Sequence, residues 1–371
     1  MIEVEKNYSL LYTVFMILKG GIRMFKKVLL VLLCLILCLG VGCKKETETL
    51  SVDRGEETSV PEEVVESIYA INPLTGVEDL TKGKELDRPV AITINNVSVA
   101  QPVQTGLGKA DIVYETEVEG GITRLLAVFQ DVTKVPEIGT VRSARDVFVD
   151  LALGHNALYV HHGQSNHVKN RLGNIDRHVV EAGKGGERKS NGLSREHTLY
   201  AHGDKIFKEF VNKGVNIKAT KTTPWQTFAA EAIPVKFSNT ANKVTVPFSS
   251  SYKTTMQYDA TSGKYVRIFN GTERKDYLTN ESLYFKNVFV LSTSIHKFPG
   301  CTDTKGHKEV SLNSGSGYYF VNGTYTPILW SKGNVKNSFI FTATDGSPLI
   351  VNAGNSWVCI ADANRSQPII E

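Results

Sequence analysis

The chain has 371 residues, with 42 Lys+Arg against 38 Asp+Glu, a formal net charge of +4, 41% hydrophobic residues and five cysteines. That length supports a sizeable core and excludes a disulfide-stapled miniprotein. The near balance of charge, with no polybasic block beyond the N-terminal region, removes the electrostatic case for a nucleic-acid partner.

Residues 1–23 precede a second, better-placed Met24 and read as an upstream extension outside the native protein. Met24-Phe25-Lys26-Lys27 then opens an uncharged apolar run from Val28 to Val41 that ends at Gly42-Cys43. Two lysines hold the start on the cytoplasmic side and a small residue precedes the cysteine, so residues 24–42 read as a lipoprotein signal peptide. The run is shorter than the ~20 apolar residues that a spanning helix needs. Cleavage before Cys43 and lipid on its sulfur are expected, placing the mature chain on the outer face of the cytoplasmic membrane. One departure is Gly40 at the third position before the cysteine, with Leu39 one place too early. Cys34 and Cys38 fall in the signal, leaving Cys301 and Cys359 as the cysteines free to pair.

Residues 43–70 form an acidic tether, rich in Glu and without an aromatic residue before Tyr69, and cannot offset their ordering entropy. Folding is expected in two parts, a mixed α/β domain over 71–218 and a β-rich domain over 235–362, which together make an α+β chain. In the first part strands are predicted over 88–96, 111–118, 123–131 and 157–161, with helices over 142–153, 164–172 and 204–212. In the second, short segments at 243–247, 264–270, 283–291, 317–321 and 338–343 are punctuated by Gly, Asn and Ser-Gly turns. Trp357-Val358-Cys359-Ile360 is predicted as the last strand.

Side chains two apart on a strand share a face, so Glu115, Glu117 and Glu119 should line up opposite the apolar Ile112, Tyr114 and Val118. Such a row requires cations, a metal or open water. Arg124 follows, and Gly139-Thr140-Val141-Arg142-Ser143-Ala144-Arg145-Asp146 comes after the next strand. If Ser143 or Thr140 caps a helix, Arg142, Arg145 and Asp146 sit at its first turn, where free backbone N–H groups favour anions. Arginine forks suit phosphate or carboxylate. An anionic-ligand pocket, with a divalent cation on the glutamates, competes here with an internal salt-bridge network. Seven of nine histidines lie between His155 and His202, without zinc-motif spacing. Among them His161, His162 and His197 border Gly-rich or Arg-rich loops, and His161 and His197 join the candidates. Gly163-Gln164-Ser165 and Gly192-Leu193-Ser194 lack the full nucleophile-elbow pattern. The Trp225, Trp330 and Trp357 side chains read as core in preference to a sugar-stacking surface.

Arg88-Pro89-Val90-Ala91, Asn95-Asn96, Ala110-Asp111-Ile112-Val113-Tyr114-Glu115, Glu119-Gly120-Gly121-Ile122-Thr123-Arg124, Val141-Arg142-Ser143-Ala144-Arg145 and His197-Thr198-Leu199-Tyr200 resemble the YerB-like lipoprotein family (DUF3048). The resemblance spans nearly all of residues 71–360 and implies a mixed N-terminal domain, a β-rich C-terminal domain and extracytoplasmic anchoring. It carries no settled activity. More locally, Arg124 and the segment from Val141 to Val149 look like the LytR-CpsA-Psr phosphotransferases. That similarity implies contacts of Arg145 and Asp146 with pyrophosphate and Mg²⁺, although Leu125 stands where an aspartate is expected.

With no complete nucleophile, acid–base pair or metal motif, the leading expectation is a lipid-anchored envelope protein binding a phosphate-containing or glycopolymer ligand. A metal-dependent phosphotransferase or hydrolase acting on envelope glycopolymer is the enzymatic alternative. A structural lipoprotein that docks another envelope protein is the third.

Overall fold

The computed structural model describes residues 68–230, 233–300 and 306–371. The signal segment, Cys43, most of the tether and Cys301 lie outside them. Among the described residues strand dominates, at 43% against 13% helix, which is more β-rich than the α+β expectation.

The strands that build the centre are β1 (Val90–Asn95), β2 (Ile112–Glu119), β3 (Ile122–Phe129), β4 (Leu158–His161) and β5 (Arg177–Val179). Strands β6 (Lys243–Pro247), β7 (Lys253–Asp259) and β8 (Lys264–Phe269) follow, and then β9 (Asn287–Thr293), β10 (Ser314–Val321), β11 (Thr324–Ser331) and β12 (Ser356–Asp362). Among the described residues three α-helices accompany them: α1 (Asp146–Gly154), α2 (Lys169–Leu172) and α3 (Gly203–Asn212).

One eleven-stranded sheet carries the order β11-β10-β9-β12-β2-β3-β1-β4-β5, with the short strands Asn239–Thr240 and Ile340–Ala343 both pairing with β11. Strand β12 pairs in parallel with β9 on one side and β2 on the other, so strands from 71–218 and from 235–362 share this sheet. Because β3 is antiparallel to both β1 and β2, and β4 and β5 run parallel to β1, six strands (β1, β2, β4, β5, β9 and β12) point the same way. Their C-terminal ends meet at one edge, the place where open sheets with parallel strands commonly hold ligands.

Both faces of the sheet are covered. Val113, Leu125 and Trp357 pack with Val244, Met256, Tyr265 and Phe269 of the smaller sheet built on β6–β8. Ile112, Tyr114, Leu126 and Val358 pack on the other face with Val147, Phe148 and Leu151 of α1. Every residue of β2 is consequently buried, which the alternating Glu/apolar pattern does not announce. Trp225, Trp330 and Trp357 are all core residues. Cys359 is a buried free thiol.

The predicted helix over 142–153 begins four residues later, at Asp146. Val141 donates its N–H to Leu199 O and Arg142 to Thr93 O, so this stretch is extended and held between neighbours. Long-range backbone pairing outweighs the local apolar spacing. The helix expected over 164–172 likewise contracts to the four residues of α2.

Candidate functional site

The C-terminal ends of β1 and β4, the start of β3, and the extended segment leading into α1 converge around the predicted arginines. Arg124 is 4% exposed and donates from Nη1 to Ser143 O at 3.0 Å. Its Nη2 reaches Glu119 Oε1 at 3.4 Å, and Arg145 pairs with the same carboxylate oxygen. His307 Nε2 approaches it at 3.4 Å. Arg145 also donates to Ala144 O at 2.8 Å, which anchors its guanidinium at the head of α1. Arg145 itself occupies the N-cap position, and no side chain caps the helix. The capping expected of Ser143 or Thr140 therefore does not occur: the segment is extended there, and Thr140 Oγ1 is buried without a hydrogen-bond partner.

Arg142 lies on the outer side of this group. It donates to Glu196 O at 3.0 Å and to Glu196 Oε2 at 3.3 Å. The same Glu196 faces His197 Nε2 at 3.4 Å, while Asn95 Nδ2 and His197 Nδ1 are 2.8 Å apart. Burial pushes the Arg124 pKa down to about 9, and the nearby Arg142 charge pushes the same way. The site thus holds closely placed cations at an energetic disadvantage, a condition relieved by an anion.

His161 ends β4 and stacks on Tyr159 with ring centroids 5.4 Å apart. Its Nδ1 donates to Gly163 O at 2.7 Å, so in the neutral ring Nε2 carries the lone pair. Burial lowers its pKa to about 4, and Nε2 is buried without a hydrogen-bond partner. Gly163 O also accepts from Ala144 N, which connects His161 to the arginine segment.

The glutamate row is not one site. Glu115 Oε1 accepts from Asn96 Nδ2, Thr123 Oγ1 and Thr254 Oγ1 at 2.9–3.0 Å in the core between the two sheets. Glu117 turns to Lys308 Nζ at 3.1 Å and Arg365 Nη2 at 2.9 Å. A register shift between Glu117 and Glu119 breaks the strand alternation, and Glu119 meets Arg124 and Arg145 instead. Asp146 pairs with Arg171 Nε at 3.3 Å. Among the described residues no three His, Cys, Asp or Glu side chains are grouped to hold a metal. The predicted carboxylates are spent on separate partners, neutral donors for Glu115 and different cations for Glu117, Glu119 and Asp146, and do not fit a shared Mg²⁺.

Arg124, Arg142, Arg145, Glu119, His161 and His197 are therefore brought together, whereas Glu115, Glu117 and Asp146 serve other contacts. Sequence reasoning passed over Asn95, Tyr159 and His307. It also passed over Arg188, whose Nη2 lies 3.1 Å from His162 Nε2. A cavity of about 710 Å³ lies elsewhere, near the N-terminal ends of β2, β9 and β12, lined by Asp79, Lys109, Asp111, Asp276, Lys286 and Asn355. Asp111 there accepts from Asn72 and from the Gln130 N–H, and burial raises its pKa to about 7.

Residues 74–216 match the family described as "Protein of unknown function (DUF3048) N-terminal domain", and residues 244–358 match its C-terminal domain. A relative, "Putative lipoprotein YerB" of Bacillus subtilis (strain 168), is 33% identical over 306 residues, covering 78% of this chain and 85% of that protein. The chain belongs to the DUF3048 family. The crystal structure of YerB protein from Bacillus subtilis has the same fold, with a TM-score of 0.69 at 29% identity, over 80% of this chain and 98% of that one. DUF3048 membership thus agrees with the resemblance carried by the Asn95-Asn96, Glu119-Gly120-Gly121 and Val141–Arg145 segments.

Proposed function

We propose that this DUF3048 protein is a lipid-anchored extracytoplasmic envelope protein that binds an anionic, phosphate-bearing or glycopolymer ligand at the Arg124–Arg142–Arg145 site. Lipidation at Cys43 would anchor it on the outer face of the cytoplasmic membrane; the signal pattern and the lipoprotein name of its relative support that part. The ligand reading rests on one observation: the Arg124 guanidinium is almost wholly buried beside a second arginine, with its Nε unpartnered and its carboxylate shared with Arg145. A bound oxyanion would accept from these donors and offset the mutual repulsion of the cations. A binding or assembly role follows from these residues more directly than turnover, because the carboxylates needed for metal chemistry are engaged apart from one another.

Two measurements test the reading. Calorimetric titration of the protein with pyrophosphate and with anionic envelope glycopolymer, with and without Mg²⁺, is expected to show binding that weakens about tenfold or more in Arg142→Ala. No binding across that panel would remove the ligand site and leave docking to another envelope protein as the reading. Fractionation of cells expressing Cys43→Ser is expected to shift the protein out of the membrane; unchanged membrane retention would refute lipid anchoring through that sulfur.

A further inference from the structure

The short turn Arg195–His197 stands beside the proposed site and organises more cations than that site uses. Its Glu196 carbonyl holds Arg142, and the preceding Arg195 carbonyl holds the Nη1 of Arg188 at 2.6 Å. Two guanidinium groups are thus fixed on consecutive carbonyls of one turn, while the Arg195 side chain is exposed beside them. Arg188 is otherwise satisfied by neutral acceptors, Thr198 Oγ1 at 3.3 Å and His162 Nε2 at 3.1 Å. His162 Nδ1 donates to Val180 O at 2.7 Å, leaving Nε2 as the acceptor that receives Arg188. Among the described residues Glu196 pairs with Arg142, and no carboxylate pairs with Arg188 or Arg195. The turn and its two neighbours therefore carry three arginines against one carboxylate. Burial and then the Arg195 charge lower the Arg188 pKa, which is the direction expected of cations pressed together without a counter-ion.

We infer that Arg188 and Arg195 form a second anion subsite continuous with Arg142, so that the ligand is a linear polyanion with charged groups spaced along its chain. This inference rests on the proposed anion site and adds its substrate class. The Arg142 and Arg188 guanidinium groups are each preset by a backbone carbonyl, so little of their side-chain freedom is lost when a phosphate arrives. Joining two weak subsites on one chain makes the second contact intramolecular and raises affinity without further contacts. A single-stranded nucleic acid is disfavoured as the polyanion because residues 181–198 contain no Phe, Tyr or Trp on which bases could stack. A phosphate-bearing polymer without bases fits the side chains present.

The test uses the full-length lipidated protein in detergent, titrated with pyrophosphate, with long-chain inorganic polyphosphate at equal phosphate concentration, and with a single-stranded oligonucleotide. Polyphosphate is expected to bind about tenfold or more tighter than pyrophosphate. In Arg188→Gln, and separately in Arg195→Glu, that ratio should fall toward one. Arg195 is exposed and holds Arg188 through its backbone, so the second variant preserves that contact; thermal melting of both variants checks the fold. Pyrophosphate binding without any gain for the polymer, or a gain that survives both substitutions, would overturn the second subsite while leaving the first. Failure of every anion to bind would overturn both. Tighter binding of the oligonucleotide than of polyphosphate would overturn the choice of polymer.

Discussion

Replacing Arg267 by Met probes the polar cluster that joins the two sheets. Arg267 on β8 is fully buried and donates from Nη2 to Asn96 Oδ1 at 3.1 Å, while the same Asn96 donates from Nδ2 to Glu115 Oε1 at 2.9 Å. Its guanidinium also lies 4.7 Å from the Trp357 ring centroid. Glu115 is equally buried; burial raises its pKa and the Arg267 charge opposes that shift. Arg267 and Glu115 meet through Asn96; removing one of two opposite buried charges typically costs up to about 3–5 kcal/mol, because the other is left without its counter-charge. Arg267→Met keeps the volume, so the cost should reside in charge and hydrogen bonding rather than in a cavity. A melting-point drop on the order of 10 °C is expected, measured by circular dichroism. Adding Glu115→Gln should return part of that loss, giving a coupling of about 1–3 kcal/mol in the double-mutant cycle. A single-variant cost below about 1 kcal/mol, or strict additivity in the double variant, would refute the assignment of Glu115 to the fold.

Acid should destabilise the protein through His155. It is half-buried, its Nε2 lies 2.7 Å from Tyr114 Oη, and desolvation lowers its pKa to about 3. Because the unfolded imidazole binds a proton that the folded one refuses, stability is full above the unfolded value near 6.5 and is lost as pH falls toward 3, at up to about 1.4 kcal/mol per pH unit. Urea titrations from pH 7 to 4 should show the slope, and His155→Gln should flatten it; equal slopes would count against this assignment. Gly203→Ala at the start of α3 would push a methyl group into the Val132 and Val135 carbonyl oxygens. A cost of about 1–3 kcal/mol in urea unfolding is expected, and a neutral substitution would show that this approach can relax.

Much of the local structure was legible in the sequence because it rests on short-range pattern. The alternation in Val90–Asn95 and the apolar run of Ile122–Phe129 mark strands. The segment Lys243–Pro247 follows the predicted limits, and Gly203–Asn212 is a helix with Ile206 and Phe210 buried four residues apart. The cationic cluster was partly legible as well, since Arg142 and Arg145 share one short segment and Arg124 lies a strand away. The C-terminal half, read as short strands, also supplied strand β12, but nothing local in Trp357–Ile360 tells that it pairs with β2 across more than two hundred residues of chain.

The sequence by itself determined the secondary-structure period of the long strands, the arginine-rich approach to α1 and the family, because each is written in adjacent residues. Only the tertiary structure decided what the glutamates do. Alternation assigns Glu115, Glu117 and Glu119 to one face, but a second sheet buries Glu115, Lys308 and Arg365 claim Glu117, and a register shift delivers Glu119 to Arg124 and Arg145. The same holds for Arg188, made a neighbour of Arg142 by consecutive carbonyls of a turn that follows Arg188 closely but lies far along the chain from Arg142. A charged side chain on a strand has the same local signature whether water, a metal or a distant residue neutralises it. The partner is chosen by packing, which brings together groups that no sequence period connects.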